Sequence, residues 1–381
     1  MKSGWAIKKL GEVCEEVKDR TSSIGVVLSA YITTDNMLKD CAGVCEAENL
    51  PPKVTNLVKF RKGDVLLSNI RPYLKKVWLA DRDGGASSDV IVFRACSKEI
   101  HPRYIWQALA RDEFFNYSML NVSGTKMPRG KREWIKQFEI PIPPLPEQKR
   151  IVAKIDAAFE KIDKLKANAE RNLKNAKELF QSALDEAMRP KKGWVEKRLG
   201  EVGPVCMCKR ILKSETNESG GVPFYKIGTF GKTPNAYISE ETYRRYRELY
   251  KFPRKGEILI SAAGTIGRTV VYDGEPAYFQ DSNIVWIAND ETKVSNAYLQ
   301  WYYKTSPWCV TKGATIPRLY NDNITSAAIA IPPIAEQRQI VKRLDFLAEK
   351  VKLLEQHYTR QIADCVEMRQ AVLREAFEGR L

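Results

Sequence analysis

At 381 residues the chain is long enough for two or three domains, each able to bury a core of its own. Hydrophobic residues make up 44% and charged residues 29%, an ordinary globular balance, and no apolar run approaches the ~20 residues of a membrane span. The formal charge of +15 favours a polyanionic partner, either nucleic acid or an anionic membrane surface.

The opening stretch MKSGWAIKKLGEV has no apolar core of signal-peptide length. Eight cysteines without even, repeated spacing do not read as a disulfide framework, so a soluble cytoplasmic protein with reduced thiols is expected. In chain order, DVLLSNI from Asp64 and VIVFRA from Val90 are short, β-branched and bounded by turn residues, which predicts strands. PRYIWQALARDEFFNYSML from Pro102 carries apolar residues at helical spacing. IPIPPLP from Ile140 predicts a strand end stopped by proline, which lacks a ladder donor and biases its predecessor away from the helix. A long helix is expected from Glu147 to about Met188. The pattern then begins again, with strands at EILISAA, TVVYD and NIVWIA, a helix at SNAYLQWYYKTSPWCV, the corner IAIPPIA and a second long helix.

The second half is a copy of the first. GWAIKKLGEV at Gly4 returns as GWVEKRLGEV at Gly193, and IPIPPLPEQKRIV at Ile140 returns as IAIPPIAEQRQIV at Ile329, both 189 residues on. Between these anchors the offset widens, so that Lys62, Gly63 and Asp64 align with Lys255, Gly256 and Glu257, and a net insertion near residue 240 is later cancelled by a deletion. Four segments follow: globular blocks at 1–146 and 190–335, and helical spacers at 147–189 and 336–381. Each block carries a net charge of +6, against +2 and +1 for the spacers.

In the first spacer a stripe runs through Ile151, Ile155, Ala158, Ile162, Leu165, Ala169, Leu173 and Ala176. In the second it runs through Ile340, Leu344, Leu347, Val351, Leu354, Tyr358, Ile362 and Cys365, with identical spacing. The 4-3 alternation is a coiled-coil seam, and its one extra step of four is a phase shift that paired helices must share. A helix of about 42 residues is roughly 63 Å long, too long to hide its stripe against one small domain. Chain logic predicts two antiparallel helices separating two mixed α+β blocks, a pseudo-two-fold dumbbell.

Catalytic signatures do not assemble. There is no glycine-rich loop ending in Gly-Lys-Ser/Thr for a nucleoside triphosphate, and the Pro-Pro dipeptides lack the flanking residues of an amino-methyltransferase pocket. Cys41/Cys45 and Cys206/Cys208 find no further ligands at zinc spacing, so no metal site is expected. Asp64 and Glu257 follow Lys-Gly and read as turn carboxylates, not as an acid or base. Of the two histidines, His101 and His357, the latter lies on a solvated helix face.

DNA binding has more support. NIRPYLKKVW places Arg71, Tyr73, Lys75 and Lys76 in a loop leaving a strand, and its copy AAGTIGRTVVY holds Thr265 and Arg268, the latter opposite Lys75. SGTKMPRGKREW supplies Lys126, Arg129, Lys131 and Arg132, and its copy KGATIPRLYND supplies Lys312, Arg318 and Asn321. Cations mixed with Gly, Thr and Tyr in loops suit phosphate contacts, while Arg and Asn can read base edges. Positions alike in both copies suit phosphates, and positions that differ would tell two half-sites apart. A free-standing bipartite regulator, or a charged scaffold without base reading, would share these features.

The order of basic block, IPIPPLPEQKRIV, long helix, basic block, IAIPPIAEQRQIV and long helix resembles the specificity subunit of Type I restriction-modification systems. The likeness covers essentially the whole chain, and GTKMPRGKREW and RKGDVLLSNIRPYLKK are similar to that family's target recognition domains. It implies two target recognition domains, each reading one half of a split double-stranded DNA site. It further implies modification (methyltransferase) subunits, two of them, docked around the spacers, with restriction/translocase subunits added. S-adenosylmethionine and ATP would then belong to those partners, and this chain would be a non-catalytic reader with no cofactor of its own.

Overall fold

The structure is a computed structural model that describes residues 4–50, 56–305, 308 and 318–381. The chain divides into two compact units, one built from Met1–Arg171 with Tyr358–Leu381, the other from Asn172–His357.

In the first unit the central sheet runs Cys14–Glu16, Val90–Ala95, Val65–Ser68, Val77–Leu79, all neighbours antiparallel. Its two inner strands carry the apolar runs VLL and VIVF because both faces are covered. Val65, Leu67, Ile91 and Phe93 face a core shared with helices, while Leu66, Val90 and Val92 face a core with Ile32, Val58 and Phe60. The second unit repeats this sheet as Val205–Cys206, Ile284–Ile287, Ile258–Ser261, Thr269–Val271. There Ile258, Ile260, Val285 and Ile287 face one core, and Leu259, Ile284 and Trp286 the other. Every predicted strand forms.

The second sheets diverge. The first unit orders Arg20–Ser22, Asn56–Phe60, Gly84–Ala86, Tyr31–Ile32, whereas the second orders only Tyr237–Ile238, Val222–Tyr225, Tyr278–Phe279. A helix, Glu240–Leu249, capped by the Ser239 side chain, occupies the insertion seen in the sequence. Cys206 and Cys208 lie in the core beneath this sheet, and burial pushes the Cys208 thiol up to about 12.

The single helix expected from Pro102 is two helices, Pro102–Leu109 and Asp112–Met119. The break falls at Arg111, whose backbone is extended and whose guanidinium stacks 4.6 Å from Phe377 and 5.6 Å from Phe138. Burying that cation in an aromatic clamp takes priority over continuing the helix.

The Pro-Pro corners are closed by a buried amide. Gln148 donates from Nε2 to Glu99 O (2.9 Å) and Pro143 O (2.8 Å), and its Oε1 accepts the His101 N–H (2.9 Å). Gln337 does the same with Lys293 O (2.8 Å), Pro332 O (2.8 Å) and Ser295 N–H (2.9 Å). Both glutamines are 1% exposed or less, and each satisfies three backbone groups at the corner. Alongside, Tyr104 and Tyr298 donate their hydroxyls to Pro141 O (2.7 Å) and Ala330 O (2.8 Å).

The long helices span Leu145–Ala187 and Ile334–Phe377, starting two residues before the predicted Glu147 and its copy; in the first, Pro146 is tolerated in the first turn. Ile151, Ile155 and Ile162 are buried in the first unit's core, beside Cys365, Leu373 and Phe377 from the second helix. Asp163 pairs with Arg369, which lies 4.0 Å over Phe159. In the second unit Ile340 and Leu344 share a core with Leu184, and Phe180 meets Trp301 edge-on. The rest of the stripe is not uniformly dry. Leu173, Leu347, Val351 and Ile362 are half-buried, while Leu165 (54%) and Leu354 (41%), equivalent positions, are exposed. Ala169 and Ala176 of the same stripe are buried although they belong to neither unit's core cluster.

The turns before the central hairpins explain the acidic residues there. Gly63 (φ +92°) and Gly256 (φ +88°) let the chain reverse, and Asp64 and Glu257 accept the N–H groups of Arg61 (2.8 Å) and Arg254 (2.7 Å). Asp64 also takes a bidentate Arg94 (2.7 and 2.9 Å). The ladder places Ala288 where Arg94 would be, so among the described residues no guanidinium pairs with Glu257, and burial raises its carboxyl pKa.

Two outcomes follow. Gln148→Leu leaves a buried N–H and two carbonyls without partners, and should cost about 2–4 kcal/mol, read as a lowered urea midpoint. The raised Glu257 carboxyl contributes stability below the ordinary glutamate pKa and loses it as pH rises through the folded-state value. Glu257→Gln should therefore gain on the native chain in urea midpoint between about pH 4 and pH 7.5, and equal gains at both would contradict the shift.

Candidate nucleic-acid interface

In the first unit the chain leaves Val65–Ser68 through a one-turn segment, Pro72–Leu74, and returns as Val77–Leu79. Arg71 and Lys75 flank that turn in the left-handed region, each with φ +52°. Backbone strain of this kind in residues carrying a Cβ gathers at functional loops. The loop is stitched to a distant hairpin, Val122–Ser123 with Arg129–Gly130. Arg71 N–H donates to Pro128 O (2.7 Å), Gly130 N–H to Asn69 O (3.1 Å), and Ile70 bridges to Arg129.

The second unit makes the same junction from different residues. Leu319 N–H donates to Ala262 O (2.8 Å) and Ala263 bridges to Arg318. Both predicted loop pairs are therefore single surfaces, one per unit.

The candidate side chains fall into two groups. Arg71, Tyr73, Lys126, Arg129 and Lys131 are exposed in the first unit, and Thr265 and Asn321 in the second. Lys312 lies outside the described residues. The other candidates brace the loops. Lys75 pairs with Asp112 (2.5 Å), and Lys76 donates to Thr34 O (2.5 Å), with burial lowering its ammonium pKa. Arg132 pairs with Glu16 and donates to Ser88 O (2.7 Å). Burial works against the Glu16 charge, but hydrogen bonds from Lys136 and Arg132 outweigh it and hold the carboxyl below its usual range. Arg268 donates to Phe230 O (3.0 Å) and Arg318 to Ser282 O (3.0 Å). Arg129 stands 3.6 Å from Asp89, a half-exposed pair worth less than about 1 kcal/mol, which a phosphate can displace.

The ladder corrects one alignment. Ser68 N–H donates to Lys76 O (3.0 Å) and Ser261 N–H to Arg268 O (2.9 Å), so Arg268 is the counterpart of Lys76, not Lys75. The loop of the second unit is one residue shorter. A third segment, absent from the sequence-derived candidates, also reaches each junction. Asp89 O accepts Asn69 N–H (2.8 Å), and Asn283 O accepts Ala262 N–H (2.7 Å). The turns at 87–89 and 280–283 are too short and ordinary in composition to announce themselves, although Arg132 and Arg318 point to them.

The chain matches the family model described as Type I restriction modification DNA specificity domain twice, over residues 2–175 and 191–362. It is 45% identical over 253 residues to a Haemophilus influenzae chain assigned as a type I restriction enzyme specificity subunit, covering 65% of this chain and 64% of that one. It is 29% identical over 131 residues to the EcoDI specificity subunit of Escherichia coli, covering 34% and 29%. The chain thus spans less than two thirds of these two relatives. Among solved structures, one concerning complex assembly and conformational transition of the type I R-M system is 26% identical with a TM-score of 0.83, covering 100% of this chain and 99% of that one. The HsdS subunit from Thermoanaerobacter tengcongensis is 26% identical with a TM-score of 0.59, covering 100% and 98%.

Proposed function

The chain belongs to the Type I restriction-modification DNA specificity family, and on that footing we propose that it is the sequence-reading subunit of such a complex. Each unit reads one half of a bipartite, asymmetric site in double-stranded DNA. The observation that carries this reading is the duplicated junction: Ile70 with Arg129 and Ala263 with Arg318 hold equivalent loops whose lengths and side chains differ. A shared frame with unlike loops is what two different half-sites need.

The long helices set the gap between the half-sites and scaffold two modification subunits and the restriction/translocase subunits. Methyl transfer from S-adenosylmethionine and ATP-driven steps belong to those partners, and this chain works beside them in the cytoplasm as a non-catalytic reader. Arg129, exposed at the junction and only weakly paired with Asp89, holds a phosphate.

Selection of bound duplexes from a random pool, with modification subunits co-expressed at physiological salt, should enrich a split motif with a fixed central gap. Exchanging residues 1–146 for those of a relative should change one half only, and a motif altered throughout, or none, would sink the reading. Arg129→Ala should weaken binding across all sequences and lower the salt slope by roughly one, leaving the motif intact.

A further inference from the structure

We propose that Asn283 reads an adenine edge for the second unit, from the lip of a cationic cleft that holds the adjoining DNA backbone; this rests on the DNA-reading function above. The turn Gln280–Asn283 is fixed between two segments of the junction. Ala262 N–H donates to Asn283 O (2.7 Å), and Arg318 Nη2 donates to Ser282 O (3.0 Å). Ser282 is held in the left-handed region, φ +53°, where an L-residue is uncommon.

The cleft behind the turn has a volume of about 350 Å³ and is lined by Arg210, Lys213 and Lys226, with Phe224 as an apolar wall. Arg210 is 2.8 Å from Asp281, so Lys213 and Lys226 are the cations left for phosphate. Gln280 has its carbonyl occupied by the Ile227 N–H (2.8 Å) and so shapes the cleft instead of reading. Asn283 is different. It is half-buried at the cleft, and among the described residues no hydrogen bond occupies its side-chain amide. A free carboxamide offers one donor and one acceptor side by side, which matches adenine N7 and N6–H in the major groove.

The first unit supplies the contrast. Its turn is bracketed by Ser87 N–H to Ile32 O (2.8 Å) and Asn69 N–H to Asp89 O (2.8 Å), against Gln280 N–H to Tyr225 O (3.0 Å) and Ala262 N–H to Asn283 O in the second. The counterpart of Asn283 is therefore Asp89, a carboxylate that only accepts and already faces Arg129. The turn of the second unit is also one residue longer. The position is thus structurally equivalent and chemically unlike in the two copies, as a specificity residue must be.

The test uses the full chain co-expressed with its modification subunits and the same duplex selection. Asn283→Ala should lower the preference for adenine at one position of one half-site roughly tenfold, leaving the other half unchanged, which also reports that the variant folds. Asn283→Asp should exchange adenine for cytosine there, since a carboxylate accepts from cytosine N4. Lys226→Ala should weaken binding uniformly without altering the motif. An unchanged motif in Asn283→Ala, loss of a base other than adenine, or loss of both halves at once would overturn the assignment. A native complex that selects no motif would overturn the recognition reading, and this inference with it.

Discussion

A single buried carboxamide in each unit governs where everything else can be. Gln148 and Gln337 each join the carbonyl of the first proline of the Pro-Pro corner, the strand-to-helix connection of the block, and the first turn of a long helix. Satisfying all three groups at once fixes the glutamine rotamer and the start of the helix. The helix therefore leaves its block at a fixed angle. Asp156 and Asp345, two turns further along, secure the same contact by accepting from Gln107 (2.9 Å) and Trp301 (2.9 Å).

That rigid frame lets the loops vary. The inner strands of the central sheet are covered on both faces and are nearly all apolar, and the two copies differ there by exchanges such as Val92 for Trp286. The loops at the far ends of the strands carry no such burden. One is a residue shorter in the second unit and another a residue longer, yet the backbone bonds that close them are the same. Cations divide accordingly: Lys76, Arg132, Arg268 and Arg318 hold loops to the frame, while Arg71, Lys126 and Lys131 face outward.

Much of this is written in local pattern. Apolar runs, the 189-residue repeat and the proline corners placed the strands, long helices and paired loops, because each depends on neighbouring residues alone. What stayed hidden depends on contacts between distant residues. The repeated Glu-Gln looked like a polar helix start, yet its glutamine is among the driest side chains present. Lys75 looked available for DNA, but Asp112 lies across from it. Arg111 broke a helix whose periodicity was intact, for the sake of Phe377 far along the chain. Heptad spacing also promised a continuous seam, whereas Leu165 and Leu354 are exposed. Spacing identifies a stripe without saying what covers it.

The division of the chain into units has a consequence for synthesis. The second unit, Asn172–His357, is contiguous and has all of its own sequence once residue 357 is made. The first is interrupted: Cys365, Leu373, Ala376 and Phe377, which belong to its core, are added only after the whole second unit. During translation Tyr104, Arg111 and Phe159, which meet the last helix, therefore wait for their partners while more than half the chain is still being made. The half that begins first is finished last, and the interval in between is when this protein most needs a chaperone or a waiting partner.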